Sequence, residues 1–445
     1  MNLIYGIKDK PKFGQLLIFA FQQVLAILAA TILVPAIIGN GMSQSAALFG
    51  AGVGTIVYQL FTKFKSPVYL GSSFAFIGSM FAAFGGAASA SAGYAGLLIG
   101  AAFAGLVYVV IAIIVKFVGV KWINKLMPPV VIGPTVALIG LSLAVNAVND
   151  LTVGKVLNEA GASAASPYVA LVVGIITLLS IFVFSVYGKK MIKLIPFVLG
   201  ILVGYIAATI FTVIGIATNN VSLQLINFSA FQNMQIFAVP NFSFLKAMEG
   251  VKEIDGSFIA TIAVAYVPVA FVVFAEHIAD HKNLSSIIGQ DLLEEPGLHR
   301  TLLGDGVGSI AGAFFGGCPN TTYGESVGCV AITRNASVIT ISTAAIMCLV
   351  ISFFGPFVTF LSSIPNCVMG GVCVALYGFI AVSGLKMIQG VNLNASKNLF
   401  VVSAILIPGI GGLSVSFGDV TLTTIACALI LGIITNVILR KGKED

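Results

Sequence analysis

Charge is what this chain has least of. Asp, Glu, Lys and Arg make up 9% of its 445 residues, against 58% hydrophobic, and the mean hydropathy is +1.07. A soluble domain needs a charged surface, so this scarcity excludes one. Cysteine is equally uninformative as chemistry. Cys318, Cys329, Cys348, Cys367, Cys373 and Cys427 all lie in apolar segments without a CxxC spacing. They read as small hydrophobes in the reduced state, which argues against a disulfide framework. There is no Walker-type glycine loop with its lysine, which argues against an ATP-driven pump. The net charge of +6 is small and spread along the chain, so it gives no reason to invoke nucleic acid.

What the chain does have is a succession of apolar runs of about 20 residues, the length that crosses a bilayer. About 14 can be traced, from 14–38 near the start to 420–440 at the end. The first lacks a small-residue cleavage site and reads as a retained helix, not a signal peptide. With the N-terminus placed in the cytoplasm, every Lys and Arg but Lys155, Lys246 and Lys252 falls on the cytoplasmic side. That asymmetry predicts an even number of spans, both termini inside, and a multi-pass protein of the plasma membrane. The +6 balance then reflects orientation.

The chain also repeats itself. Gly133-Pro-Thr-Val-Ala-Leu-Ile-Gly140 returns as Gly371-Val-Cys-Val-Ala-Leu-Tyr-Gly378, and Pro67-Val-Tyr-Leu-Gly-Ser-Ser-Phe74 is echoed by Pro319-Asn-Thr-Thr-Tyr-Gly324. Halves of seven spans each have opposite orientations, and inverted repeats put a solute site near the midplane at interrupted helices. The two Pro/Gly/hydroxyl segments are the expected interruptions, because non-helical backbone at that depth must be buried or line a cavity. The half-helices that follow would offer N–H groups to an anion or a carbonyl oxygen. Residues 218–256 form the longest polar connection, and their alternation suggests a short hairpin.

Against this background four carboxylates stand out: Glu276, Asp280, Asp305 and Glu325. Ionisable groups at membrane depth mark substrate or ion pathways. Glu276 and Asp280 share one helical face, and His277 and His281 share the next. His281 and His299 read as solvated loop residues. Three chemistries fit. A divalent-metal transporter would use Glu276, His277, Asp280 and His281. An intramembrane protease would pair Asp280 with Asp305. A secondary transporter would bind a neutral solute's N–H groups with carboxylates and carry a proton on them, and this reading also accounts for the repeat and the interruptions.

The run Pro319-Asn-Thr-Thr-Tyr-Gly-Glu325, followed by Ala331-Ile-Thr-Arg334, resembles the signature of the nucleobase–ascorbate transporter family in its uracil-permease branch. Gly71-Ser-Ser-Phe-Ala-Phe-Ile77, Ala275-Glu-His277, Asp291-Leu-Leu and Pro296-Gly-Leu-His-Arg300 support it. The resemblance implies an all-α polytopic fold of two inverted seven-span repeats, with short strands at the starts of spans 3 and 10. A core domain would comprise 1–125 and 257–362, and a gate domain 126–217 and 363–445, with 218–256 as an extracellular connection. It also implies that Glu276 and Glu325 accept the N–H groups of uracil while the backbone N–H groups of Phe74 and Gly324 meet its carbonyls. Tyr323 would line the pocket and Tyr377 would face it from the gate.

The chain departs from that branch in places. Asp280 and Gln23 stand where it commonly has histidine, Ser326 stands where Asn is usual, and Asp305 resembles the xanthine and urate branch. The expectation is a proton-coupled nucleobase importer with no cofactor, not an enzyme. Uracil is the first choice, and a xanthine-type purine symporter of the same fold is the alternative. Asp280, Asp305 and His277 would form the proton-linked network, and the protein could form a homodimer in the bilayer.

Overall fold

The computed structural model describes residues 3–119, 128–158, 161–189, 191–232, 234–417 and 420–439. In chain order, α1 (Phe13–Ile38) and α2 (Gln44–Phe61) lead to strand β1 (Leu70–Ser72), a single 3-10 turn at Phe74–Phe76, and α3 (Ile77–Gly85). Next come α4 (Ala90–Val118), α5 (Pro129–Ser142), α6 (Ala144–Asp150), α7 (Pro167–Tyr187) and α8 (Pro196–Ala217). A short helix α9 (Ser243–Gly250) precedes α10 (Gly256–Ile288) and α11 (Leu298–Gly316). Strand β2 (Asn320–Thr322) opens into α12 (Gly324–Thr333), followed by α13 (Val338–Ile351), α14 (Gly355–Ser363) and α15 (Asn366–Met387). The chain closes with α16 (Ser396–Ile410), the hairpin β3 (Val415–Phe417) and β4 (Val420–Leu422), and α17 (Thr424–Leu439).

Taking α5 and α6 as one stretch (Pro129–Asp150), seven helical spans among the described residues are long and apolar enough to cross a membrane unaided, and shorter apolar helices accompany them. The chain is therefore a multi-pass membrane protein. Local chemistry marks several ends. Ser43, Ser89 and Asp255 accept a first-turn N–H at the starts of α2, α4 and α10. Pro167 and Pro196 begin α7 and α8, where a missing N–H costs nothing. Gly289 and Gly317 take the left-handed conformation that closes α10 and α11.

The chain divides into two compact units. The first comprises Met1–Ser142, Pro240–Leu349 and Ile380–Asp445. In it α11 packs along α2 and α4 with its backbone almost touching theirs. A Cβ at Gly50 would lie 2.3 Å from the Gly312 carbonyl oxygen, and one at Gly54 would lie 2.8 Å from that of Gly308. Lipid tails are as apolar as leucine, so close small-residue packing is how such helices hold together.

That contact positions the two interrupted segments. β1 and β2 pair antiparallel, with Leu70 opposite Thr322, Gly71 opposite Thr321 and Ser72 opposite Asn320. The flanking backbone is also satisfied. Ser73 N–H donates to Pro319 O at 2.9 Å and Tyr323 N–H to Tyr69 O at 3.2 Å. Thr55 Oγ1 accepts from Leu70 N at 2.9 Å. Asn320 Nδ2 donates to Gly50 O at 3.0 Å, reaching across the α2–α11 seam. At the chain's start, Ile4, Tyr5 and Ile7 run beside Arg334–Val338 and exchange backbone bonds with them.

The second unit comprises Leu143–Val239 and Val350–Phe379. Its helices also meet through glycine. A Cβ at Gly204 would fall 2.0 Å from Thr177 Oγ1, and one at Gly371 would fall 2.4 Å from Gly174 O. The hairpin expected within 218–256 is not formed among the described residues. Val221–Leu223 and Phe228–Phe231 are 3-10 turns, each started by an asparagine (Asn220, Asn227) whose side chain accepts the N–H two residues on. That local bond competes with strand pairing.

Gly312→Val tests the seam. A Cβ there would meet Asn320 Nδ2 at 2.0 Å, and overpacking of this kind costs about 3 kcal/mol. The unfolding midpoint of the purified protein should fall by several degrees. Gly328→Ala, where nothing lies within 4 Å, should leave it unchanged.

Candidate functional site

The unusual residues of the first unit converge where α10 passes the β2–α12 junction. Thr322 Oγ1 donates to Asp280 Oδ2 at 3.0 Å, which ties the strand to the helix. Glu276 lies one turn before Asp280 on the same face of α10, and Glu325 lies in the first turn of α12. The charges of Asp280 and Glu325 both act on Glu276. All three carboxylates remain partly accessible in a region otherwise dominated by buried side chains. Among the described residues, neither Glu276 nor Glu325 has a hydrogen bond or ion pair from its carboxylate to another residue. A carboxylate largely removed from water without a partner is costly.

The two interrupted segments each open into a helical turn. Gly324 is the first residue of α12, and Phe74 is the first of the 3-10 turn leading into α3. A helix start is where N–H groups are offered to an acceptor. Gly324 has an ordinary φ, so glycine is not needed there for backbone conformation. It supplies space: a side chain would point toward Asp280, whose Oδ1 is the nearest atom at 3.7 Å.

Tyr323 is more constrained than a pocket-lining role suggests. It is 5% exposed, its hydroxyl donates to Ser72 O at 2.6 Å, and its ring covers Gly71, where a Cβ would lie 2.4 Å from Cε2. It clasps β1 to the end of β2. Ser326 is a second clasp, accepting from Gln23 Nε2 on α1 and from Tyr69 N at 3.1 Å. Ser326 and Gln23 were visible in the sequence only as departures from the resemblance. Their joint role, and that of Thr322, depends on contacts across up to 303 residues of sequence.

The histidines turn away from the accessible carboxylates. His277 Nδ1 lies 2.7 Å from Asp305 Oδ2, and its Nε2 lies 3.0 Å from Thr301 Oγ1, one turn earlier on α11. Both His277 and Asp305 are fully buried. The His277 imidazole and the Asp305 carboxylate are joined by a hydrogen bond. Asp305 Oδ1 has no partner among the described residues.

His281 differs from its reading as a solvated loop residue. α10 continues to Ile288, which leaves His281 fully buried, its ring stacked on His277 at 4.1 Å. Its Nδ1–H donates to the His277 carbonyl at 2.8 Å, so in the neutral ring Nε2 is the acceptor. Tyr58 then donates to Nε2 at 2.7 Å and accepts from Ser66 at 2.7 Å. All four ring nitrogens of the paired histidines are already engaged by protein partners, away from Glu276 and Asp280. Among the described residues no group of three or more His, Cys, Asp or Glu could hold a metal ion. His299 is partly exposed, and Tyr377 belongs to the second unit, 2% exposed on α15.

Comparison with known proteins identifies the family and the fold. Residues 14–417 match the model described as the Permease family. The uracil permease of Bacillus subtilis (strain 168) is 37% identical over 99% of this chain and 96% of its own. That of Bacillus caldolyticus is 38% identical over 98% and 94%, and that of Escherichia coli (strain K12) is 33% identical over 96% and 92%. Among solved structures, the transmembrane domain of a cyanobacterium bicarbonate transporter, BicA, superposes with a TM-score of 0.64 at 15% identity, covering 97% of this chain and all of that one. Murine Slc26a9, an anion transporter, gives 0.63 at 13%, covering 97% and 69%. At those identities the likeness concerns the fold alone. With the matched family model, near-complete alignment to permeases and the Pro319–Glu325 run at the strand–helix junction, the chain belongs to this permease family, that of the nucleobase–ascorbate transporters, and is a transporter, not an enzyme.

Proposed function

We propose that the chain is a proton-coupled symporter that imports uracil across the plasma membrane. The observation that carries the reading is the pair of accessible carboxylates, Glu276 and Glu325, without protein partners beside two helix starts. Uracil is planar and alternates N–H and C=O around one edge. Glu276 and Glu325 accept its N–H groups, and the backbone N–H groups at Phe74 and Gly324 donate to its carbonyls. The relatives named uracil permeases support this choice of base.

In this proposal the architecture is fourteen spans in two inverted repeats with both termini cytoplasmic. Core segments 1–125 and 257–362 carry the base past a gate built from 126–217 and 363–445, with Tyr377 on the gate side. These divisions are functional and differ from the two compact units, since α5, α16 and α17 pack together in the first unit. Asp280 takes up the transported proton next to the base, and its Thr322 bond lets it sense the β2–α12 junction. Asp305 and His277 hold a second, buried proton that responds to the charge on Asp280.

Glu325→Gln should nearly abolish uptake of labelled uracil. Losing a charge-assisted bond costs about 1.5–3 kcal/mol, or roughly one to two powers of ten in affinity. Wild-type uracil uptake by this variant, at equal protein level in the membrane, would rule out the assignment. Uptake of xanthine rather than uracil by the unaltered chain would instead point to the purine alternative.

Coupling has its own test. Uptake should fall as external pH rises, because the carrier must bind a proton before it moves, and a protonophore should stop accumulation. Asp280→Asn should still bind uracil when purified but should not concentrate it. Accumulation that needs sodium and ignores the protonophore would contradict proton coupling.

A further inference from the structure

The ends of α2 and α4 meet the start of α11 at one face of the membrane domain, and a groove of about 260 Å³ opens between them. Its floor is apolar, formed by Phe61, Ala112, Ile113 and Leu303, and its rim is basic, formed by Lys116, His299 and Arg300. The sequence order on both helices is informative. Lys116 sits in the last turn of α4, with Ala112 and Ile113 one turn deeper. Arg300 sits in the first turn of α11, with Leu303 one turn deeper. Each helix therefore presents a cation at the headgroup level and hydrocarbon just inside it.

The basic rim is uncompensated. Among the described residues, Lys116 and Arg300 have no ion-pair partner, no carboxylate lines the groove, and His299 lies in the field of both cations. The nearby carboxylate of Glu295 is already paired with Lys65 at 2.5 Å. The apolar side is open to the bilayer, with Ile113 51% and Phe117 78% exposed. The charge calls for an anion and the floor for hydrocarbon. Basic pockets between membrane helices commonly hold anionic headgroups.

We propose that this groove binds one anionic phospholipid, with its phosphate between Lys116 and Arg300 and an acyl chain along Phe61, Ile113 and Leu303. A zwitterionic lipid also offers a phosphate, but its ammonium would add a further cation to a rim with no counter-charge. The site is therefore selective for net negative headgroups. It lies apart from Glu276 and Glu325 and does not depend on which base is carried.

Native mass spectrometry of the full-length protein, titrated with phosphatidylglycerol and phosphatidylcholine of identical acyl chains, tests this. Phosphatidylglycerol should be retained preferentially. The Lys116→Gln/Arg300→Gln double variant should lose that preference by about fivefold per charge removed, with its unfolding midpoint in neutral detergent unchanged. Ile113→Trp, which crowds the exposed apolar side of the groove and leaves the charges, should also release the lipid. Equal retention of the two lipids, or undiminished preference in either variant, would overturn the proposal. So would competition by glycerol 3-phosphate as effective as that of the lipid, since the site would then be one for a soluble phosphate.

Discussion

The structure depends on the need to satisfy interrupted backbone inside a membrane. Breaking two helices at membrane depth exposes peptide groups that hydrocarbon cannot solvate. Here each break serves as the partner of the other. β1 and β2 exchange their bonds, Thr55, Gln59 and Ser326 reach from helices to the flanking backbone, and Asn320 on β2 reaches back to Gly50 of α2. The glycine seam between α2 and α11 follows from the same need, because it brings Asn320 within reach of Gly50. Removing one contact would therefore unsettle several that are distant in sequence.

That arrangement sorts the ionisable groups. Thr322 holds Asp280, Asp305 holds His277, and Tyr58 holds His281. Glu276 and Glu325 are left as the unpaired acceptors, next to the helix starts that the breaks create. The polar groups of the region thus fall into those held by protein partners and those that the proposed function assigns to a solute. In a low-dielectric setting the second class is worth keeping only if a ligand uses it.

Much of this was legible in the sequence. The two Pro/Gly/hydroxyl runs marked the breaks, and the isolated carboxylates Glu276, Asp280 and Glu325 marked the residues that gather at the β2–α12 junction, because each violates what an apolar span otherwise requires. Other features were not. His281 seemed to lie beyond a helix end, but α10 runs on to the Gly289 cap, and the side chain of Tyr58 reaches from α2 to the ring. The asparagine turns at Asn220 and Asn227 were hidden under an apolar alternation that suggested strands. The β3–β4 hairpin was submerged in the hydrophobic background around it. Tyr323 was read as a surface for the base, yet its hydroxyl is committed to Ser72, a contact spanning 251 residues that no local pattern encodes.

The most direct test of the carboxylate site is equilibrium binding of uracil to the purified protein, measured against 1-methyluracil and 3-methyluracil. Each methyl group removes one ring N–H while leaving both carbonyls in place. If Glu276 and Glu325 accept those N–H groups, both methylated bases should bind at least tenfold more weakly, since a carboxylate then faces a methyl group and stays unsatisfied. Binding of both methyluracils as tight as that of uracil would contradict the account.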